Sequence, residues 1–363
     1  MSVIHLNLNE FKIIPIAESA KRLKISDDEY FSPAYGQYIS NSRLKYIDPK
    51  ENGSIGLFRN PPKFTTSSLY TGSCVHQRVL QPEEFSLAEK MNKPTAKLGQ
   101  VVDKIIQYRK DGESIYESIK KACAEVGYYA NTWESKIPEI IKKGFAYYMR
   151  AKDLEAGVIT LDDKSYDVVT SCIASLENNK AIMNKLHPYN IFGDPIASYN
   201  EDALFLDFAI IYKSRATILK VKGKLDNWCI DEENKLLTIN DLKTSGHYVD
   251  SFMRPEGSLF KYSYYRQAGL YKTMLEEYAK KEYGYNYKWN FEFNFLVVQT
   301  IGDYSSACYR VSDALIEKGK QEYEDLLKRV AAYQMFGENA EIEFFYGHTT
   351  NKSSHDKGSE TNC

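Results

Sequence analysis

The stretch KVKGKLDNWCIDEENKLLTINDLKTSG (Lys220–Gly246) contains two runs rich in β-branched and apolar residues, one on either side of a polar segment. This pattern predicts two antiparallel strands joined by a turn over Asp231–Leu236. If 231 lies opposite 236, the same register places Asp226 directly across from Asp241. Opposed side chains have Cβ atoms about 4.5–5.5 Å apart, and like charges in such a pair are destabilising. We therefore expect a cation between the two carboxylates.

A divalent metal ion is one cation that fits this position. Magnesium takes oxygen ligands from one or two carboxylates and completes its shell with water and phosphate oxygens. The two-residue period of a strand places Lys243 on the same face as Asp241, where an ammonium group can orient an attacking water, help to deprotonate it and neutralise charge that grows on a phosphate. The simpler alternative is a surface hairpin with solvated charges, which is the commoner explanation of an isolated DxK sequence.

Two further segments contain polar residues at informative spacings. Gln267 and Tyr271 stand at positions i and i+4 of a predicted helix, on one face, from which they can contact a phosphate backbone together. His76 lies on the apolar face of a short predicted helix, Ser67–Leu80. A lone histidine in such a place is more often a hydrogen-bonded core residue than a metal ligand.

Taken together, these residues resemble the motif series of PD-(D/E)xK nucleases of the RecB-like branch. The series consists of Asp226, then Asp241-Leu242-Lys243, then Gln267-x-x-x-Tyr271. Within that superfamily the likeness is greatest to the RecE-type exonucleases, which include exodeoxyribonuclease VIII and are similar to lambda exonuclease. Tyr38-Ile-Ser-Asn-Ser-Arg-Leu44 resembles their amino-terminal segment, and Gly72-x-x-x-His76-x-x-x-Leu80-x-Pro82-Glu83-x-Phe85 resembles a second signature.

The resemblance implies roles for particular residues. The implied catalytic residues are Asp226, Asp241, Lys243, Gln267 and Tyr271. The implied metal ligands are His76, Glu201, Asp226, Asp241 and the main chain of Leu242, around two ions of Mg²⁺ for which Mn²⁺ can substitute. Glu201, with Asp202 beside it, stands where these enzymes often have one more acid, and Asp207 is a weaker candidate. The second acid of the motif is aspartate here, where glutamate is commoner. Lys222 and Lys224 alternate on the strand of Asp226 and, with Gln267 and Tyr271, are the predicted DNA contacts.

Composition excludes several classes of protein. The 363 residues are 43% hydrophobic and 26% charged, which is typical of a globular chain and not of a disordered one. The net charge of −2 provides no overall positive field, so that contact with nucleic acid must use a local basic surface. Six scattered cysteines without a CxxC pair indicate reduced thiols, no structural zinc and no iron–sulfur cluster. No leader peptide or membrane span is recognised, and a cytoplasmic location in a bacterial or phage-infected cell is expected.

The pattern along the chain predicts an α/β (α+β) fold of the restriction-endonuclease-like type, a mixed central sheet flanked by helices with a helical insertion. Residues 1–66 are expected to form an irregular arm, 67–346 a single nuclease domain that includes the helical region 99–186, and 347–363 a disordered tail. The region after residue 187 changes to strands, followed by a long helix over 259–283, two more strands and a final helix over 313–336.

The sequence therefore predicts a metal-dependent exonuclease that hydrolyses double-stranded DNA. The likeness implies 5′-to-3′ polarity, a role in phage-type recombination or DNA processing, a single-strand annealing protein as partner and a ring-shaped homo-oligomer. Two alternatives remain open: a structure-specific or nicking endonuclease with the same active-site residues, and a non-catalytic DNA-binding subunit with a nuclease fold. A binding subunit has no need to place two acids opposite each other.

Overall fold

The computed structural model describes residues 4–62, 66–87, 94–155, 159, 161, 163–284, 288–337 and 340–343. The strands are β1 Ile4–Asn7, β2 Phe11–Leu23, β3 Ala197–Tyr212, β4 Arg215–Asp231, β5 Leu236–Ser245, β6 Asn290–Gln299, β7 Ser306–Arg310 and β8 Ala340–Glu343. The first helices are α1 Asp27–Tyr30, α2 Asn41–Leu44, α3 Ile55–Arg59, α4 Ser67–Leu80, α5 Ala96–Lys110 and α6 Ile115–Val126. The later helices are α7 Ile137–Glu155, α8 Asp163–Asn178, α9 Lys180–Leu186, α10 Ser258–Lys261, α11 Tyr264–Tyr283 and α12 Asp313–Phe336.

A mixed sheet forms the centre of the described structure. Its six strands are ordered β2-β3-β4-β5-β6-β7, and every neighbouring pair is antiparallel except β5 and β6, which are parallel. β1 and β8 form a separate parallel pair. The predicted register of the β4–β5 hairpin is confirmed, because Asp231 pairs with Leu236 and Asn227 with Asn240.

Helices cover both faces of this sheet, as the alternation in β6 requires. Phe293, Phe295 and Val297 belong to the core cluster shared with α11 and α12. Leu296 and Val298 point the other way and pack in the cluster of α4, α8 and α9. This arrangement of helices on both faces of a mixed sheet confirms the predicted fold class. Helices α5 to α7 pack around an apolar cluster of their own within the predicted helical region.

The boundaries of α4 and α12 agree with the sequence prediction, whereas the helix predicted over 259–283 is interrupted. Ser263 separates α10 from α11 and adopts a left-handed conformation with φ 51°. That conformation is uncommon for a residue with a side chain, and no glycine or proline marks the position.

The expectation of little regular structure in residues 1–66 is wrong for β2. This 13-residue strand pairs with β3 at the edge of the central sheet. Its run Phe11–Leu23 has no regular alternation of apolar and polar residues, and its burial pattern is mixed, because pairing with β3 shifts register between Ile16 and Lys21. The tail predicted over 347–363 lies outside the described residues. Among the described helices, none is both long and apolar enough to cross a bilayer.

Candidate active site

The site lies where β4 and β5 separate. Their ladder ends at the pair Asn227 and Asn240, so Asp226 and Asp241 are the next residues in register beyond the last pair. β5 continues alongside β6 as far as Ser245. The main-chain N–H of Leu242, which no longer faces a partner on β4, donates a hydrogen bond of 2.7 Å to Asp226 Oδ2. The two acids therefore lie at the point where the strands separate.

Glu201 completes a row of acids across three strands. Asn200 pairs with Asn227 and Asp202 pairs with Leu225, so Glu201 stands opposite Asp226 at the same level of the sheet. Its backbone is left-handed, with φ 53°. Such strain in a residue other than glycine persists only where the surrounding structure imposes it, often at functional sites.

The structure distinguishes Glu201 from its neighbour Asp202, the other candidate acid. Asp202 is buried and accepts hydrogen bonds from Arg22 Nε at 2.7 Å and from Trp228 Nε1 at 2.9 Å. Its carboxylate is thus occupied in holding β2 against the sheet. Glu201 faces the acidic cluster and contacts Lys224 Nζ at 2.8 Å.

His76 reaches the same cluster from α4. Its Nδ1 lies 3.6 Å from Asp226 Oδ2. Burial lowers the pKa of His76 to about 4, so that the ring is neutral near pH 7 and has a lone pair to offer. A ring nitrogen of His76 and one carboxylate oxygen from each of Glu201 and Asp226 all lie within 4.8 Å of one another.

Asp241 is fully buried beside this cluster, and each of its oxygens has its own neighbour. Gln267 Nε2 donates a hydrogen bond of 2.7 Å to Oδ1. Oδ2 is in contact with the Lys243 ammonium group, although it accepts no well-aligned hydrogen bond. Lys243 also lies 5.1 Å above the ring of Tyr264. Asp241 does not belong to the group of three whose ligand atoms converge.

The electrostatics of these groups suit a bound cation. Burial raises the pKa of Asp226, Glu201 and Asp241, the last to about 6, and repulsion from Asp226 adds to the effect on Glu201 and Asp241. Burial by itself lowers the pKa of Lys243, but Asp241 and Asp226 outweigh it and leave the pKa above its usual value. These clustered acids are destabilised as carboxylates, and a neutral imidazole lies among them. One buried oxygen of Asp241 accepts no hydrogen bond. This set of groups fits a divalent ion.

The predicted DNA-contact residues are not all at the surface. Lys222 is buried and donates a hydrogen bond of 2.7 Å to the carbonyl oxygen of Tyr30. Lys224 contacts both Glu201 and Asp27, and its side chain is 14% exposed. Tyr271 is buried, and its ring packs against Gly223 on β4. In this conformation Lys222 and Tyr271 are buried in the structure that supports the site, and Lys224 lies at its border.

A row of asparagines behind the acids was missed by sequence reasoning. It crosses four strands through Asn200, Asn227, Asn240 and Asn294, whose side-chain amides are linked in series by hydrogen bonds of 2.7, 2.7 and 2.9 Å. Asn200 Nδ2 also donates to the carbonyl oxygen of Leu80 at the end of α4. The row therefore joins the split hairpin to the helix that presents His76. The hairpin register pairs Asn227 with Asn240, so the central pair of this row could have been predicted from the sequence.

Comparison with known proteins identifies a family for most of the chain. Residues 65–341 match the model of a family described as a PDDEXK-like domain of unknown function (DUF3799). The chain belongs to this family. Membership supports the PD-(D/E)xK superfamily and a nuclease-type fold, and it says nothing about likeness to RecE-type enzymes in particular. Members of the superfamily generally use divalent metals.

One solved structure that resembles the chain is a protein from Eubacterium rectale named "Putative exonuclease". Its sequence is 12% identical, the alignment covers 87% of this chain and 88% of that one, and the TM-score is 0.39. Among curated proteins none matches significantly.

Proposed function

We propose that the protein is a metal-dependent deoxyribonuclease that degrades linear double-stranded DNA from its ends. The observation that carries the proposal is the convergence of His76, Glu201 and Asp226 within 4.8 Å, directly beside the Asp241–Lys243 pair. A nitrogen and two carboxylates from three separate elements are an unusual set to bring together in a merely structural role, because their burial raises the pKa of both acids.

The residues that would hold the ion are His76, Glu201 and Asp226. The carbonyl oxygen of Leu242 and the Oδ2 atom of Asp241 are further candidate ligands. Mg²⁺ suits the oxygen donors, and the imidazole nitrogen makes Mn²⁺ an equally good occupant. A bound divalent ion supplies Lewis acidity at the phosphate and lowers the pKa of a coordinated water.

Lys243 acts as a cation in this mechanism. Because Asp241 and Asp226 raise its pKa, it is protonated near pH 7 and is a poor proton acceptor in the metal-free protein. Its ammonium group instead donates hydrogen bonds to the attacking water or to a phosphate oxygen, where negative charge increases in the transition state. Gln267 holds Asp241 in place from the opposite side.

Polarity and biological setting rest on the sequence likeness to RecE-type exonucleases. It favours 5′-to-3′ digestion in phage-type recombination, a single-strand annealing protein as partner and a ring-shaped oligomer. The same active-site residues serve an endonuclease, so the substrate separates the two functions.

The test uses purified protein with three substrates: linear duplex labelled at the 5′ or the 3′ end, covalently closed circular DNA, and single strands. Each is incubated with Mg²⁺, Mn²⁺ or EDTA. We expect the protein to degrade only the linear duplex, in Mg²⁺ or Mn²⁺ but not in EDTA. The 5′ label should be released early. Cleavage of the closed circle would establish an endonuclease, and binding without cleavage in any metal would indicate a non-catalytic subunit.

Variants assign the roles. Lys243→Ala is expected to reduce the cleavage rate by at least about 100-fold while DNA binding persists, because the lost group acts in the transition state. The matched control is Lys272→Ala on α11, whose ammonium pairs with Glu276 at the surface; its rate should equal that of the wild type. Glu201→Gln should weaken Mn²⁺ binding in calorimetry, whereas Asp202→Asn should lower thermal stability instead.

A further inference from the structure

Beyond the site, β4 has a long edge that β5 does not cover. β4 pairs with β5 only over Asn227–Asp231, although it continues back to residue 215 alongside β3. On this edge the main chain of Ile39 donates to the carbonyl oxygen of Lys220 at 2.8 Å and accepts from the N–H of Lys222 at 2.9 Å. The segment that contains Ile39 therefore caps the edge and forms one wall of a depression beside it.

That depression is a cavity of about 380 Å³ between the N-terminal region, β4 and α12. Its polar lining consists of Gln37, Arg43, Arg59, Lys220, Tyr333 and Gln334. Three of these side chains are cationic, and none of the described residues that line the cavity is acidic. In a chain whose net charge is −2, a concave surface with this imbalance is a local basic site.

Two of the cations have no carboxylate partner among the described residues. Arg43 is held by the carbonyl oxygens of Gly36 at 2.8 Å and Phe58 at 3.2 Å. Burial lowers the pKa of Arg43, which means that its charge is only partly solvated. Lys220 stands opposite Asp207 of β3, yet no ion pair within 4.0 Å joins them. A further cation is close by, since the charge of Arg43 contributes to lowering the pKa of Lys222.

We propose that this cavity binds a phosphate of the DNA backbone, with Arg43 and Lys220 as its main contacts. The proposal rests on the proposed function and specifies how the substrate is held away from the cleaved bond. Lys220 and Asp226 are six residues apart on one strand, which corresponds to about 20 Å. For a duplex that runs along β4, at 3.4 Å per nucleotide, this distance corresponds to about six base pairs.

The experiment measures the salt dependence of DNA binding in EDTA, where cleavage is absent. Fluorescence anisotropy of a labelled 20-base-pair duplex is recorded at several salt concentrations for the wild type, Lys220→Gln, Gln334→Glu and Lys180→Gln. Lys220 is exposed, so its replacement does not disturb the fold. Gln334→Glu adds a negative charge to the cavity and retains the acceptor that Thr217 uses. Lys180, an exposed lysine on α9, is the control.

For Lys220→Gln we expect a several-fold loss of affinity at low salt and a log–log salt slope about 0.9 less steep, as for one lost phosphate contact. Gln334→Glu should weaken binding in the same direction, and Lys180→Gln should match the wild type. Equal slopes and affinities in all four proteins would overturn the cavity assignment while leaving the nuclease proposal intact. Failure of the wild type to bind any DNA would overturn both.

A second measurement separates DNA from free anions. If 10 mM inorganic phosphate raises the melting temperature of the wild type but not of Lys220→Gln, while their DNA slopes agree, the cavity is a site for free phosphate and the proposal is wrong.

Discussion

Gln267 shows how the role of a single residue depends on its partner. Sequence spacing places it on a helix face with Tyr271, from which both were expected to contact DNA. In the structure its amide donates to Asp241 Oδ1, and Tyr271 is buried against Gly223. The amide therefore positions the acid whose other oxygen contacts Lys243. Direct contact of Gln267 with a phosphate stays a prediction.

Replacing Gln267 by leucine should reduce the cleavage rate by about 10–100-fold, the usual effect of removing a partner that orients a metal-site carboxylate. Leucine leaves Oδ1 of Asp241 buried and without a donor, so the acid is expected to move towards Lys243. Rates at saturating Mn²⁺ and Mn²⁺ affinity by calorimetry measure the effect, with Lys272→Ala as control. Wild-type values for both quantities would show that the hydrogen bond has no functional role.

The acids also predict how metal binding depends on pH. Burial raises the pKa of Asp241 to about 6 and raises that of Asp226 in the same direction. A proton on either acid must leave before an ion binds, so affinity is greatest above the raised pKa and falls as the pH decreases through about 6. We expect the apparent Mn²⁺ affinity to fall by up to about tenfold per pH unit between pH 6 and 5. Titration at pH 7.5, 6.0 and 5.0 tests this; constant affinity would contradict the raised pKa values.

At the scale of elements, β4 and α11 pack closely against each other at Gly223. A Cβ atom on Gly223 would lie 2.7 Å from Tyr271 Cε1 and 3.3 Å from the sulfur of Met274. The absent side chain allows the ring of Tyr271 to pack closely against the strand three residues before Asp226. The sequence offered one hint, since glycine interrupts an otherwise β-favouring run.

Gly223→Ala should therefore destabilise the protein by about 1–3 kcal/mol, because the added methyl group forces the packed tyrosine to shift. Thermal and urea unfolding measure the change. Gly56→Ala in α3 is the control, since its Cβ would meet only Ser54 Oγ at 3.8 Å and alanine favours helix. If both variants unfold at the same midpoint as the wild type, the contact between strand and helix is looser than described.

At the scale of the molecule, the N-terminal region is part of the folded unit. β2 extends the sheet, Arg22 binds Asp202, and Arg266 of α11 forms a buried ion pair with Asp48 at 2.6 Å. Both side chains of the second pair are nearly inaccessible to solvent. The N-terminal region thus adheres to the helix that holds Gln267.

Arg266→Met should cost about 3–5 kcal/mol of unfolding free energy, because it leaves the carboxylate of Asp48 buried without its charge partner. Urea unfolding measures the loss, and the double variant Arg266→Met/Asp48→Leu should regain part of it. The exposed pair of Lys143 with Glu139 provides the control: Lys143→Met should change stability by less than about 0.5 kcal/mol. A loss no larger in Arg266→Met than in the control would show that the N-terminal region is not firmly attached.

The sequence by itself determined the hairpin register, the order of the motif residues, and the bounds of α4 and α12, because turns, caps and periodicity are properties of neighbouring residues. Only the tertiary structure decided that Glu201 and not Asp202 faces His76, that Lys222 is buried, that Gln267 holds Asp241, and that residues 11–23 join the sheet. Each of these outcomes depends on contact between segments far apart in the chain. Local patterns carry no information on which of several equivalent polar side chains finds its partner there.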